Sequence, residues 1–463
     1  MSKFLGKVLF PVVLSFCCAF IIVVYIGTSR YPSVYSAFIF LLIVAIIPPI
    51  HSLLKGSFNI IEPINIVILT FLIYFFISPL YMVLNDAFTI PVNPTPELVA
   101  KGLILCTIAL LSFYAGYYAK IGSRIAARIP TGKQGFNESK IKRFAVFLEI
   151  LGIILFAFWL YSARVPFQAM FALLPEYDYS SKSLLSKATP IGYFHFGEGF
   201  FIPAILLLVC FQPHKRWPLW IKLNFLLVLI FYILTAARWR VLLLSFSVFF
   251  LYSLQKHKRV SLSKFIVIIL LILVTMPIIG YYRSVSGVSK TEWVDFDTYI
   301  RSVLSSLSIF ETFLVIIDTI PSKIDYLFGN IFFDILTYPI PRAIWPDKPF
   351  ARELEIIWML TGGRDLGYAA PNFGEFYMHF GIPGIILGMF LFGIISKAIY
   401  MYWKLNPESK SSQLILASVA PYLITLIDRG YLLQQLYIVF NIYIPLVMGL
   451  VYGSKPIVLK NKV

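Results

Sequence analysis

Charge is what this chain has least of. Only 13% of its 463 residues are Asp, Glu, Lys or Arg, where soluble domains carry about 25%, and 59% are hydrophobic. So little polar surface cannot cover so large an apolar content in water, which excludes a soluble globular enzyme and a disordered chain. Cysteine is scarce too. Cys17, Cys18, Cys106 and Cys210 all lie inside apolar runs, so no disulfide framework or thiolate metal centre is indicated. Histidine numbers five, with no zinc-type pair, and no G-x-S-x-G motif is present. Pro130 to Gly135 has the flavour of a phosphate loop but lacks its spacing and closing Ser or Thr. Asp295 and Asp297 form a D-x-D pair of the kind that holds divalent cations on sugar diphosphates. So short a match is common by chance, and the reading is a solvated loop face with no metal.

What is abundant is long apolar sequence. Twelve runs are of membrane-spanning length: 8–27, 34–54, 64–84, 98–119, 142–161, 191–211, 218–235, 240–255, 263–281, 373–398, 412–428 and 431–452. They are continuous rather than alternating, which predicts helices and not a barrel. The fold class expected is all-α and polytopic, with residues 1–463 as a single transmembrane domain. Lys3 and Lys7 precede the first run, which has no A-x-A site and reads as a retained helix rather than a cleaved signal.

The net charge of +17 would suggest nucleic acid in a soluble protein. Here most cations sit in short loops, as membrane topology requires, and no nucleic acid is expected. Lys120, Arg124, Arg128, Lys133, Lys140, Lys142 and Arg143 follow the fourth run. Lys215, Arg216 and Lys222 follow the sixth, and Lys256, Lys258, Arg259 and Lys264 the eighth. Lys397, Lys404 and Lys410 follow the tenth, and Lys455, Lys460 and Lys462 the twelfth. All are even-numbered exits, whereas 85–97 has no Lys or Arg. The basic side is therefore read as cytoplasmic, with both termini there.

One connection breaks the pattern of short loops. Residues 282–372 form a loop on the outer face that holds about half of the chain's acids. Within it, Ile300, Val303, Leu304, Leu307, Phe310, Leu314 and Ile317 recur at helical spacing, which predicts an amphipathic helix along the outer membrane surface.

The outer side also carries cations that the positive-inside rule disfavours: Arg238, Arg240, Arg283, Arg342, Lys348, Arg364 and Arg429. For any one of them, snorkelling or a local ion pair is the ordinary explanation. Together they predict an anionic ligand, since guanidinium forks match phosphate oxygens bidentately. Pro339 to Pro349 reads as a stiff turn presenting Arg342 and Lys348. Glu375 and His379, four residues apart, share a helix face at the start of the tenth run. Each is a candidate proton acceptor or a partner for an arginine. Glu198 lies just inside the sixth run, where an acid is a functional candidate by default. Tyr282, Trp345 and Tyr377 are candidates to line a sugar site, although interfacial belts account for most aromatics in such a chain.

With P-R-A-I-W-P-D-K-P at 341–349 and G-E-F-Y-M-H-F-G-I-P-G at 374–384, the chain resembles the O-antigen polymerases of the Wzy type. The A-R-W-R at 237–240, Y-R at 282–283 and R-G at 429–430 agree. The resemblance implies a GT-C-like fold with no required cofactor or metal. It implies a bacterial inner-membrane enzyme that acts on undecaprenyl-diphosphate-linked repeat units at the periplasmic face and releases undecaprenyl diphosphate. Its partners would be those glycans, membrane lipid, a chain-length regulator and a flippase. The cations above would then bind diphosphate, and Glu375, Glu198 or His379 would take the acceptor's proton. An O-antigen ligase, a transporter or flippase, and a membrane acyltransferase stay open as other readings.

Overall fold

The structure is a computed structural model. It describes residues 32–88, 94–129, 135–162, 196–212, 217–235, 238–256, 309–337 and 369–455, with isolated positions between 307 and 359. Among these residues the chain is helical, with one isolated bridge between Phe136 and Ser454 and no strand. Helices suit this sequence because a bilayer offers backbone N–H and C=O groups no water, and an α-helix satisfies them internally.

In chain order the helices are α1 (Pro32–Leu54), α2 (Pro63–Asn85) and α3 (Pro96–Tyr118), then the short α4 (Lys120–Arg128) and α5 (Glu138–Ser162). There follow α6 (Phe201–Cys210), entered through a 3₁₀ turn at Phe196–Phe200, α7 (Leu219–Leu234) and α8 (Arg238–Gln255). The set closes with α9 (Ile309–Thr319), α10 (Ile331–Thr337), α11 (Asn372–Leu405), α12 (Lys410–Asp428), α13 (Leu432–Ile438) and α14 (Ile444–Gly453). Two helices contain a π-helical turn, Ile73–Ile77 within α2 and Val439–Tyr443 between α13 and α14.

Among the described residues, α1, α2, α3, α5, α11 and α12 are each long and apolar enough to cross a bilayer, as is the continuous stretch Gln435–Gly453 through α13 and α14, and three shorter apolar helices accompany them at Gly197–Cys210, Leu219–Ile233 and Trp239–Gln255. Each coincides with one of the expected apolar runs. The runs at 8–27 and 263–281 lie outside the described residues.

Contacts sort the helix ends into two groups. At one end, the Asn137 N–H donates to Gly453 O and the Lys455 N–H to Gly135 O, both at 2.8 Å. There too, Lys410 pairs with Glu138 at 3.2 Å, and Gln255 donates to Cys210 O at 3.0 Å. Residues 135–138, 210, 255, 410 and 453–455 thus meet at one end of the bundle. The segments bearing Glu198, Arg240, Glu375 and Arg429 meet at the other.

The centre of the bundle is α3 packed along α11. Glycine makes this approach possible. A Cβ on Gly116 would lie 1.9 Å from Phe390 O, and one on Gly393 would lie 2.3 Å from Phe113 O. Small residues that let backbones touch are the usual device for packing helices in lipid.

The helix expected along the outer surface is corrected for its described part. Residues 300–306 and 308 lie outside the described residues, but α9 is not surface-lying: from Ile309 to Thr319 only Asp318 is exposed. It packs against α3, α11 and α2. The reason is local. Gly102 on α3 leaves the space that Leu314 and Phe310 enter, since a Cβ there would meet Leu314 Cδ2 at 2.6 Å. On another face Phe313 stands edge-on to Phe373 of α11, with centroids 4.9 Å apart. The helical periodicity was a sound sign of a helix. Its polar positions, Glu311 and Thr312, are buried inside the bundle rather than turned to water.

Candidate functional site

The first turns of α11 form a half-helix set off by a break. Gly381 has φ +63° and ψ −146°, a conformation reserved in practice for glycine, and Tyr326 Oη would lie 2.9 Å from any Cβ there. Pro383 follows and has no N–H to offer the carbonyl of His379 four residues earlier. The preceding loop fills the gap. The Leu327 N–H donates to Met378 O at 3.0 Å and the Phe328 N–H to His379 O at 3.2 Å. The Gly329 N–H donates to His379 Nδ1 at 3.2 Å. His379 is therefore held by the loop before it and serves as an acceptor on that nitrogen.

An aromatic cluster pins the half-helix. Phe373, fully buried, contacts Phe71 at 5.7 Å, Phe75 at 5.0 Å and Phe313 at 4.9 Å between centroids. Tyr377 is buried too and donates its hydroxyl to Ile320 O at 3.2 Å, beside Tyr326.

Across from the half-helix lies the turn between α12 and α13. Gly430 sits directly on it: a Cβ would fall 2.1 Å from the Asn372 backbone, and its N–H donates to Ala370 O at 2.8 Å. Immediately beyond, both carboxylate oxygens of Glu375 lie 3.1 Å from the Leu432 N–H. Leu432 opens α13, so Glu375 supplies from another helix the acceptor that an N-cap would provide. Arg429 is half-buried at this turn, and its guanidinium makes no hydrogen bond or ion pair with another described residue. Its neighbour Asp428 accepts a hydrogen bond from Tyr74 at 3.1 Å through Oδ2. Tyr74 lies in the π-helical turn of α2.

A second polar group stands further along α13. Arg240, 6% exposed, pairs with Glu198, 1% exposed, at 2.5 Å. The same guanidinium donates to Tyr437 Oη at 2.5 Å and lies over the Trp239 ring at 4.7 Å. Tyr232 donates to Glu198 O at 2.6 Å. Gln435, between the two groups, donates to Arg429 O and accepts from Tyr422 Oη. One short helix thus touches every part: Leu432 meets Glu375, Gln435 meets Arg429, and Tyr437 meets Arg240. Leu432 and Tyr437 are five residues apart, about 7.5 Å along the axis. Segments near residues 198, 240, 375 and 429 are thereby brought to one end of the bundle.

Of the residues singled out by sequence, the structure brings together Glu198, Arg240, Glu375 and Arg429, with His379 and Tyr377 on the same half-helix as Glu375. Trp345 is half-buried, and Arg238 opens α8 with its side chain outside the described residues. Tyr282, Arg283, Arg342, Lys348 and Arg364 also lie outside the described residues. Sequence reasoning passed over Asp428, Tyr437 and Tyr232. The argument that flagged Glu198, an acid within a membrane span, applies equally to Asp428 at the end of α12. No pattern marks Tyr437 or Tyr232 among 28 tyrosines.

The arrangement can bind an anion and accept a proton. It holds two guanidinium groups, one buried in an ion pair with Glu198 and one, of Arg429, half-buried beside the Asp428 carboxylate, and three carboxylates in differing states of engagement. No curated protein and no solved structure matches the chain. A family profile described as O-antigen polysaccharide polymerase Wzy matches residues 8–462. That match spans nearly the whole sequence, and the chain belongs to the O-antigen polysaccharide polymerase Wzy family.

Proposed function

We propose that this protein joins lipid-diphosphate-linked oligosaccharide repeat units at the end of the bundle where Glu375, Arg429, Arg240 and Glu198 meet. Membership of the Wzy family makes it a multi-pass membrane enzyme of O-antigen polymerisation that works on lipid-linked oligosaccharides. The finer reading is that the site opens on the periplasmic face of the inner membrane. There the growing chain passes from its undecaprenyl diphosphate to a hydroxyl of the next unit, within a GT-C-like architecture. The observation that carries this reading is the convergence on α13 of Glu375, Arg429 and Arg240, the last of which holds Glu198.

The chemistry gives each residue a task. As the anomeric carbon leaves its diphosphate, negative charge grows on the departing oxygen. Cations set there in advance stabilise that charge more in the transition state than before it. Arg429 suits this role because it is half-buried and its guanidinium forms no hydrogen bond or close ion pair with another described residue, with Arg238, Arg283, Arg342, Lys348 and Arg364 as the further candidates from sequence. Arg240 is engaged by Glu198 and Tyr437, and its task is to fix α13 and add positive potential. The acceptor hydroxyl must lose a proton, and Glu375 is the base proposed. The Leu432 N–H orients its carboxylate, whose oxygens are the acceptors a substrate hydroxyl would need. His379, on the same half-helix, is the alternative proton acceptor, and Tyr377, Trp345 and Tyr282 are the sugar-lining candidates from sequence.

Purified protein given lipid-linked repeat units should produce a ladder of lengthening glycans and free lipid diphosphate. In cells, an inactive variant should leave single units on the lipopolysaccharide core. Loss of all modified core instead would identify a ligase. Orientation has its own test, in a protein freed of its native cysteines. A cysteine at Leu336, exposed on α10, should react with an impermeant thiol reagent added outside. One at Ala127, exposed on α4, should not. The opposite labelling would put the site on the cytoplasmic face and overturn the reading.

A further inference from the structure

We infer that α4 is a binding site for anionic phospholipid headgroups in the leaflet at the cation-rich end of the bundle. The inference rests on the membrane fold and not on the polymerisation reading. Its nine residues, Lys120–Arg128, span about 13.5 Å, too little to cross a hydrocarbon core of about 30 Å. The chain also turns as it enters: Ala119 is extended, at φ −60° and ψ 140°, so α4 leaves the line of α3.

The four sides of α4 are chemically distinct. With about 100° between successive residues, Lys120, Arg124 and Arg128 form one stripe that drifts by about 40° per step. Ile121, Ile125 and Ile129, just past the helix end, form the adjacent stripe, and Gly122 and Ala126 the next. Ser123 and Ala127 complete the circle. The Gly122 and Ala126 side is buried on α11, where a Cβ on Gly122 would lie 2.6 Å from Ile394 O. The isoleucines are exposed, at 44%, 44% and 39%. So are the three cations, and none of them has a carboxylate partner among the described residues.

Only one placement suits all four sides. The small side faces the bundle, the isoleucines face acyl chains, and Ser123 and Ala127 face water. The cations then lie between the acyl chains and the water, which is the level of lipid phosphates. A helix with a basic stripe beside an apolar one lies in the interface in this way, and its cations draw anionic lipid. The occupant is a phospholipid and not a soluble anion, because the cationic stripe borders a side that must itself be covered by hydrocarbon.

The test uses full-length protein in phosphatidylcholine vesicles that contain a photoreactive phosphatidylglycerol, with cross-links mapped by peptide. Labelling of 121–129 should be competed by unlabelled phosphatidylglycerol and not by phosphatidylcholine. Arg124→Gln should weaken the apparent affinity about fivefold, and K120Q/R124Q/R128Q should weaken it further. Labelling along the lipid-exposed side of α1, at Ile43 and Ile47, should not change, which reports that the fold is intact. Equal affinity in wild type and both variants would overturn the inference. So would displacement of the label by inorganic phosphate, or equal competition by phosphatidylcholine.

Discussion

Arg240→Ala is expected to lower stability by about 3–5 kcal/mol and to abolish polymer. The loss comes from what remains behind. Glu198 is 1% exposed, and its carboxylate faces Arg240 at 2.5 Å. Without the guanidinium it becomes a buried charge stripped of its ion-pair partner, and Tyr437 loses the hydrogen bond from Arg240. Thermal unfolding in detergent measures the effect. Replacing both charges, as in Glu198→Leu with Arg240→Met, should recover most of that stability, because two apolar side chains need neither desolvation nor pairing. Polymer formation should stay absent in the double variant if the pair places α13 and supplies positive potential. A double variant that polymerises normally would reduce the pair to a structural fixture.

Glu375→Gln is expected to reduce turnover by about 10²–10⁴-fold with little change in substrate binding or stability. The amide keeps an oxygen for the Leu432 N–H, so the start of α13 stays capped, but it cannot accept a proton. Glu375→Ala removes both functions and should in addition cost about 1 kcal/mol. The two variants separate capping from chemistry. If Gln restores turnover to near the wild-type rate where Ala abolishes it, Glu375 is a positioning residue and the base lies elsewhere. A single-turnover assay with purified protein and lipid-linked substrate makes the distinction.

Much of this was legible in the sequence because it depends on short-range or additive properties. Apolar runs report helices directly, and ten of those expected have a counterpart among the described residues. Loop charge reports which ends lie together, and the contacts among residues 135–138, 410 and 453–455 agree. The gathering of Glu198, Arg240, Glu375 and Arg429 was legible in part, since outward cations and intramembrane acids are each costly without a purpose. Their pairing was not. Nothing in the sequence says that Arg240 meets Glu198 or that Glu375 caps a helix 57 residues later, because those contacts depend on tertiary approach. The burial of α9 was illegible for a similar reason. A helical period shows a polar and an apolar side, but whether a Glu and a Thr turn to water or to the interior is decided by the space that Gly102 leaves on a neighbouring helix.

The π-helical turn at Val439–Tyr443 has a consequence for how this enzyme can change. A π turn is in effect one additional residue lodged in an α-helix, and it resets the helix that precedes it by about 100° and 1.5 Å. Everything α13 presents to the site lies on the far side of that insertion from α14. Shortening 439–443 by one residue would restore an unbroken α-helix and leave α14 seated. It would also swing Tyr437 from Arg240, Gln435 from Arg429, and the Leu432 N–H from Glu375, all in one step. Point substitutions along α13 alter one of these contacts at a time, whereas a single deletion beyond it alters all three. The proposed site is therefore more sensitive to a change in length at this place than to any single substitution along α13. A relative with a different count of residues between its counterparts of Arg429 and Gly453 would have to present its counterpart of α13 in a different geometry.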